Sequence, residues 1–139
     1  MRTAHAYIGT GPAGNAGDMG SRLMLTTELP LSPRAGRAAR RALGLVARRL
    51  DPDRVEDARL LVTELATNAV RHGQGPIVLS VELDGERARF AVRDDGSGRP
   101  RMRDEPGPDG GWGLRIVDRI ADRWGVEPSG PEVWFELAA

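Results

Sequence analysis

The order in which two hydrophobic periodicities follow each other is the feature that most constrains the fold of this chain. Residues 22–29 alternate apolar and polar side chains, which predicts a half-buried strand. Helical patterns follow over residues 33–50 and 52–72, and each opens with a capping residue and a proline, Ser32-Pro33 and Asp51-Pro52. The first half of the chain therefore predicts a strand and then two consecutive helices.

The second half returns to strand patterns around a hairpin and a long loop. Residues 77–83 and 88–92 alternate on either side of Asp84-Gly85, a pair typical of a tight hairpin turn. Residues 94–111 are rich in glycine and proline, which predicts a loop of a length that is usually functional or disordered. A helical pattern follows over residues 114–124.

A short strand and a last strand over residues 133–137 complete the predicted order. Because strands and helices do not alternate strictly, this order predicts an α+β two-layer sandwich and not a doubly wound parallel sheet. With 139 residues, the chain fits one compact domain, which we place at residues 22–139.

Residues 1–21 are interpreted as a flexible glycine-rich N-terminal arm. Within it, Gly9-Thr10-Gly11-Pro12-Ala13-Gly14 matches a dinucleotide-binding fingerprint. Only a three-residue apolar segment precedes it and no apolar helix follows, so the strand–turn–helix context of that motif is missing. The start of the chain also lacks the apolar core of a secretory signal, and no apolar run is long enough to cross a membrane. We expect a cytoplasmic protein with no membrane contact.

The composition excludes several mechanisms. There is no cysteine, and all 20 basic residues are arginine. A P-loop and a Schiff-base enzyme each require a lysine, so phosphate groups would have to be held by backbone amides, arginine or a metal ion. Twenty acidic residues balance the arginines, and this balance argues against direct nucleic-acid binding.

Three segments could carry chemistry. One segment is the predicted helix over residues 52–72. In it, Glu64 and Asn68 are four residues apart and share one face, beside the stripe of apolar residues that would face the core. A carboxylate in that position could act as a general base, and an amide oxygen could be a hard ligand for Mg²⁺. On spacing alone, a solvated polar face is the alternative interpretation.

The second and third segments flank the predicted loop. Asp94 follows a strand and precedes the glycines of Asp94-Asp95-Gly96-Ser97-Gly98, so it could accept a hydrogen bond from the exocyclic amine of adenine. An ordinary acidic turn is the alternative there. Gly110-Gly111-Trp112-Gly113-Leu114 opens the third helix, and glycines at a helix start expose N–H groups that can bind an anion without a lysine.

Together these segments resemble the ATP-binding fold of the superfamily that includes gyrases, heat-shock chaperones, histidine kinases and mismatch-repair proteins. Glu64 to Asn68 resembles its N box, Asp94 to Gly98 its D-x-G-x-G box, and Gly111 to Leu114 its G-x-G-L box. The resemblance covers residues 22–137. It implies a mixed β-sheet with three helices packed on one face.

The resemblance also implies roles for individual residues. Glu64 would be the catalytic base, Asn68 would bind Mg²⁺ and Asp94 would contact adenine. The remaining residues expected to shape the ATP site are Arg71, His72, Gly96, Gly98, Gly111, Trp112, Gly113 and Leu114. For His72, capping of helix carbonyls is the alternative. For Trp112, the alternative is an anchor in the core or in the loop, without contact to the ligand. Arg99, Arg101 and Arg103 could reach phosphates or a partner, with a solvated loop as the alternative.

Within the superfamily, the chain most resembles the anti-sigma-factor serine kinases, on the residues 121–126 and 133–137 near its C-terminus. This likeness implies a homodimer that binds a sigma factor and uses Mg-ATP to phosphorylate a serine of an antagonist protein. Two alternatives stay open. One is a nucleotide-gated protein-binding module without turnover, and the other is a stand-alone ATP hydrolase.

Overall fold

The computed structural model describes residues 4–9, 22–72, 74–95, 114–127 and 132–139. These residues form one six-stranded sheet with a layer of helices on one face. In this part of the chain, no helix is both long enough and apolar enough to cross a bilayer. The α+β two-layer class predicted from the element order is confirmed.

Six strands make up the sheet, in the spatial order β1-β2-β3-β4-β6-β5. All five neighbouring pairs are antiparallel, so the expectation of a mixed sheet was wrong. A two-residue hairpin joins one neighbouring pair, and the strands over residues 22–29 and 77–84 are connected through two consecutive helices and not through the single crossover helix of a parallel unit. The strands are β1 (Ala4–Gly9), β2 (Arg22–Leu29), β3 (Ile77–Asp84), β4 (Arg87–Arg93), β5 (Arg123–Glu127) and β6 (Glu132–Ala138).

The predicted hairpin at Asp84-Gly85 is confirmed. β3 ends at Asp84 and β4 begins at Arg87, so Gly85 and Glu86 form the two-residue loop. Gly85 has a φ of 56°, a left-handed conformation that glycine adopts without the steric cost of a side chain. The tight turn fixes the register in which Val81 lies opposite Phe90.

Alternation along the strands puts one face of the sheet into the core. In β2, β3, β4 and β6, every second side chain is buried, and the apolar residues of the helices cover them. Phe90 and Phe135 lie directly opposite each other on β4 and β6, and their rings stack with centroids 4.7 Å apart. Burying an aromatic side chain of this size stabilises a fold by about 1.5–3 kcal/mol, so this pair anchors the middle of the sheet.

The three helices are α1 (Ala35–Leu43), α2 (Val55–His72) and α3 (Leu114–Ile120). The first is shorter than predicted, because the chain leaves helical geometry after Leu43 and forms only a 3₁₀ turn at Ala47–Arg49. Gly44 follows α1 directly, and a glycine costs a helix about 1 kcal/mol relative to alanine. The predicted continuous helix over residues 33–50 is therefore corrected to one helix and a turn.

The predicted cap before the second helix is present. The Asp51 side chain accepts a hydrogen bond from the Asp53 amide at 3.0 Å, and a 3₁₀ turn at Pro52–Arg54 leads into α2. α2 then runs to His72, the residue at which the predicted helical pattern ends.

The third helix is also shorter than predicted, because the segment that contains Trp124 is a strand. α3 ends at Ile120, and Arg123–Glu127 pairs with β6 as strand β5. Asp122 sits at the change of direction, where its amide donates to the Glu136 carbonyl at 3.0 Å. Its carboxylate accepts from the Ala138 amide at 2.9 Å. These pairings to a distant strand outweigh the local helical spacing.

The sheet also contains a strand that the sequence analysis did not assign. β1 pairs with β2 over six residues, with Ala4 opposite Thr27 and Gly9 opposite Arg22. This strand lies inside the segment interpreted as an arm, so the paired part of that segment begins at Ala4. The division of the chain into an arm and a domain at residue 22 stays a prediction.

Candidate functional site

Helix α2 carries three of the predicted site residues along one edge of its buried face. Glu64, Asn68 and Arg71 are half-buried, whereas Leu61 and Leu65 on the adjoining face are fully buried in the core. Residues three and four apart lie next to each other on a helix, so the three polar groups form a continuous strip. The strip lies where the apolar core meets the surface, and its groups are partly withdrawn from water.

The carboxyl group of Glu64 is the one described group on this strip with a perturbed proton affinity. Burial raises the pKa of Glu64 above its ordinary value of 4.5, because the charged form loses solvation, and the positive charge of Arg71 lowers the pKa in part. Raised pKa values of this kind are typical of carboxylates that act as general bases. The group is therefore chemically suited to accept a proton.

The position of α2 is fixed from one side by α1. A Cβ atom on Gly36 would lie 3.1 Å from Cγ2 of Thr63, so the two helices approach closely at that glycine. Arg40 donates a hydrogen bond from Nη1 to the Thr63 hydroxyl at 2.9 Å, and that hydroxyl donates to the Arg59 carbonyl at 2.7 Å. Thr63 precedes Glu64, so α1 holds the helix turn from which the candidate base projects.

Local sequence does not predict this contact, because a glycine such as Gly36 indicates in the first place a weaker helix. A glycine within a helix also permits a close approach of a neighbouring helix, and Gly36 has that role here.

The end of strand β4 lies beside the end of α2. The amide of Asp95 donates a hydrogen bond to the carbonyl of Gln74 at 2.9 Å, which ties the residues after β4 to those after α2. Asp94, half-buried, stands between β4 and this bond. The acidic strand end and the helix that bears Glu64 and Asn68 are therefore brought to the same edge of the molecule.

The first residue of α3 is anchored in the same core. Leu114 is buried, as is Val117 one turn later, and α3 packs against α2. The described residues that border the undescribed part of the predicted loop are Asp95, two residues after β4, and Leu114, the first residue of α3. Both β4 and α3 contact α2. Five of the predicted site residues lie outside the described residues, as does the side chain of His72; the five are Gly96, Gly98, Gly111, Trp112 and Gly113. Three arginines of the predicted loop also lie outside the described residues: Arg99, Arg101 and Arg103.

The chemistry of the described groups fits Mg-ATP. Asn68 offers one hard oxygen ligand, and Mg²⁺ in nucleotide sites typically takes one or two protein ligands and fills its shell with water and phosphate oxygens. Among the residues that the structure describes, no group of three or more His, Asp or Glu side chains forms a metal cage.

Residues 29–137 match the family model of the histidine kinase-like ATPase domain. This match covers most of the chain, and the chain therefore belongs to the histidine kinase-like ATPase family. The resemblance drawn from the three boxes is confirmed. Membership implies that the chain is an ATP-binding domain.

Two curated relatives are similar to parts of the chain. The anti-sigma F factor of Bacillus licheniformis is 29% identical over 100 residues, which cover 60% of this chain and 68% of the relative. The sensor protein NarQ homolog of Haemophilus influenzae is 32% identical over 75 residues, which cover 52% of this chain. The matched region spans only 13% of the NarQ homolog. The similarity to an anti-sigma factor agrees with the subgroup that the sequence resembled.

Proposed function

We propose that this protein is a Mg-ATP-dependent serine kinase of the anti-sigma-factor type, which phosphorylates an antagonist protein and binds a sigma factor. The observation that carries the proposal is the half-buried strip of Glu64 and Asn68 on α2, within a chain that matches the histidine kinase-like ATPase domain. Similarity to an anti-sigma F factor supports the choice of partners.

In this proposal, Asn68 binds Mg²⁺ through its amide oxygen and Asp94 holds the adenine amine. When bound, Mg²⁺ would neutralise negative charge on the ATP phosphates. The chain has no lysine, so its own contacts to the phosphates would come from arginine side chains and backbone amides. The proposed ATP site also includes Arg71, His72, Gly96, Gly98 and residues 111–114.

Glu64 is proposed as the general base. The serine hydroxyl oxygen attacks the γ-phosphorus, the bond from that phosphorus to the β–γ bridging oxygen breaks, and ADP leaves. The proton of the hydroxyl passes to the Glu64 carboxylate. Partial burial suits this role because it raises the proton affinity of the carboxylate.

The remaining features follow from the proposed partners. A protein that sequesters a sigma factor acts in the cytoplasm, and we propose that location. We also propose a homodimer, on the likeness to the anti-sigma-factor kinases, and no direct contact with nucleic acid, on the equal numbers of acidic and basic residues.

The test is a phosphoryl-transfer assay with a matched pair of variants. The protein is incubated with γ-labelled ATP, Mg²⁺ and each candidate serine-bearing antagonist protein, and label on the antagonist is measured. Glu64→Gln is expected to lower the transfer rate by about 10²- to 10⁴-fold, the usual contribution of a positioned base. Glu56→Gln makes the same change on the same helix, at a side chain that is 82% exposed, and is expected to leave the rate unchanged.

Each other result assigns a different function. Nucleotide binding without transfer or hydrolysis identifies a binding module, and phosphate release that no antagonist alters identifies an ATP hydrolase. Equal activity of the Glu64→Gln and Glu56→Gln variants removes Glu64 from the catalytic step.

A further inference from the structure

The helix α1 and the turn after it carry an arginine cluster without any counter-charge in the sequence. Residues 29–50 contain six arginines and no acidic residue, although the whole chain has equal numbers of acidic and basic residues. In the folded chain, four of these arginines and one leucine form an exposed surface, which we call the α1 arginine face and define as Arg34, Arg37, Arg41, Leu45 and Arg48.

The arginines of α1 lie opposite its buried side. Ala35, Ala39 and Leu43 pack into the core, while Arg37 and Arg41 are exposed on the other side of the helix. Leu45, just beyond the helix end, is 66% exposed. A charged face that only interacts with water does not require an exposed leucine, because contact between an apolar side chain and water is unfavourable.

Several arginines elsewhere in the described chain have carboxylate partners. Six of them lie within ion-pair distance of an acidic side chain: Arg22, Arg54, Arg59, Arg87, Arg89 and Arg123. Among the described residues, no carboxylate forms such a pair with any arginine of the α1 arginine face. The ion pairs of these six arginines thus lie on other surfaces of the fold, and the α1 arginine face keeps an excess of positive charge.

The helix dipole explains only part of the cluster. Arg40 and Arg41 lie in the last turn of α1, where the negative end of the dipole favours cations. Arg34 is the N-cap residue and Arg37 lies in the first turn, where the dipole disfavours positive charge and no acidic residue is present. Arginines at these two positions destabilise the helix. We therefore attribute them to a favourable interaction with another molecule and not to folding.

We propose that the α1 arginine face is a docking surface for an acidic protein segment that also presents an apolar side chain to Leu45. Charge complementarity selects the acidic partner, since guanidinium groups pair with carboxylates in a bidentate fashion. The exposed leucine favours a protein segment over nucleic acid, whose backbone presents phosphate and not apolar surface. This surface requires no nucleotide, so the inference is independent of the proposed kinase activity.

The surface is preformed. The Arg40–Thr63 hydrogen bond and the close approach at Gly36 hold α1 against α2, so docking does not have to order the helix first. A preorganised surface loses less conformational entropy on binding than a mobile one. The same contacts place a bound partner next to the helix that carries Glu64.

The probe for this proposal is a helical peptide in which glutamates and leucines share one face, compared with poly-glutamate of the same length. Binding is measured by fluorescence anisotropy at several salt concentrations, without nucleotide. We expect the Arg37→Gln/Arg41→Gln/Arg48→Gln variant to bind the leucine-containing peptide at least about tenfold more weakly than the natural chain, with a shallower salt dependence. Leu45→Ser is expected to remove the preference for that peptide over poly-glutamate.

The matched control is Arg22→Gln/Arg87→Gln/Arg123→Gln, which makes the same change in net charge on paired arginines of the sheet. It is expected to change the affinity by less than about twofold. An equal loss in the two triple variants overturns the proposal, because net charge alone would then explain binding. Circular dichroism checks each fold, and the single variants Arg37→Gln and Arg41→Gln replace any triple variant that unfolds.

Duplex DNA and phosphatidylglycerol vesicles test the class of partner. Tighter binding of either to the α1 arginine face than of the leucine-containing peptide, under the same salt conditions, overturns the choice of a protein segment. Weaker binding of both supports it.

Discussion

The outer face of the sheet and the polar strip of α2 handle their charges in opposite ways. On the sheet, Glu136 is 15% exposed and lies 3.4 Å from Arg87, 3.7 Å from Arg89 and 4.0 Å from Arg123. On α2, Glu64 is half-buried and burial raises its pKa. The ion pairs of Glu136 stabilise the fold. The charged form of Glu64 is instead disfavoured by the loss of solvation, which makes this carboxylate more ready to accept a proton.

The sheet side is reinforced by an aromatic contact. The guanidinium of Arg89 lies 4.2 Å from the centre of the Trp134 ring, and the ring lies across Gly125 of the edge strand. Arg89 also pairs with Glu127 at 3.4 Å. These contacts link β4, β5 and β6 on the outer face, so substitutions there are expected to change stability and leave nucleotide chemistry intact. Four predictions test this contrast.

The largest expected effect lies on the site side. Asn68→Ala is expected to abolish the Mg²⁺-dependent tightening of ATP binding, a loss of about 10- to 100-fold in affinity, because it removes the proposed protein ligand. Isothermal titration calorimetry with and without Mg²⁺ measures it. Asn68→Asp keeps a hard oxygen and is expected to retain the metal dependence. Unchanged affinity in the alanine variant would exclude Asn68 from the metal site.

On the sheet side, Gly125→Ala is expected to destabilise the fold by about 1–3 kcal/mol. An added Cβ would lie 2.8 Å from Cζ2 of Trp134, so the ring must move away from Arg89. Urea unfolding measures the change. The cost should shrink when Trp134→Leu is present as well, and a cost that persists in the double variant assigns the effect to the strand backbone.

Glu136→Gln is expected to destabilise the fold by about 1 kcal/mol, because three arginines lose a shared carboxylate that is mostly buried. ATP binding should not change. Glu56→Gln serves as the control, since its single pair with Arg59 is exposed and worth less. Equal losses of stability in the two variants would show that the cluster around Glu136 adds nothing beyond a surface pair.

Glu64→Gln is expected to have the opposite sign and the smallest size, a slight rise in melting temperature at neutral pH. A carboxyl group whose pKa is raised on folding binds its proton more tightly in the folded chain. Protonated Glu64 therefore favours folding below pH 4.5, and this contribution is lost as the pH rises through the folded pKa. Glutamine resembles the protonated form at every pH.

Thermal melts between pH 4 and pH 8 check this pH dependence. The advantage of the glutamine variant should grow with pH and vanish near pH 4, whereas an advantage independent of pH contradicts the raised pKa. The same group predicts that the transfer rate falls in acid at a pH above the ordinary glutamate value of 4.5.

Local spacing accounts for much of what could be predicted. The alternating strands, the Asp84-Gly85 hairpin and the long helix with Glu64 and Asn68 on one face each depend on neighbouring residues, and the structure contains all of them. Trp124 shows where this reasoning stops. Its spacing fits a helix, but pairing with β6, which lies further along the chain, makes it part of a strand.

The sequence by itself determined the two-layer class, the ATPase family and the absence of lysine from any phosphate site, since periodicity, motifs and composition belong to the chain alone. Tertiary structure alone decided which charges are paired within the fold, how far Glu64 is desolvated and how closely Gly36 lets α1 approach α2. The physical reason is that desolvation and pairing depend on groups far apart in sequence, which only the folded chain brings within a few ångströms.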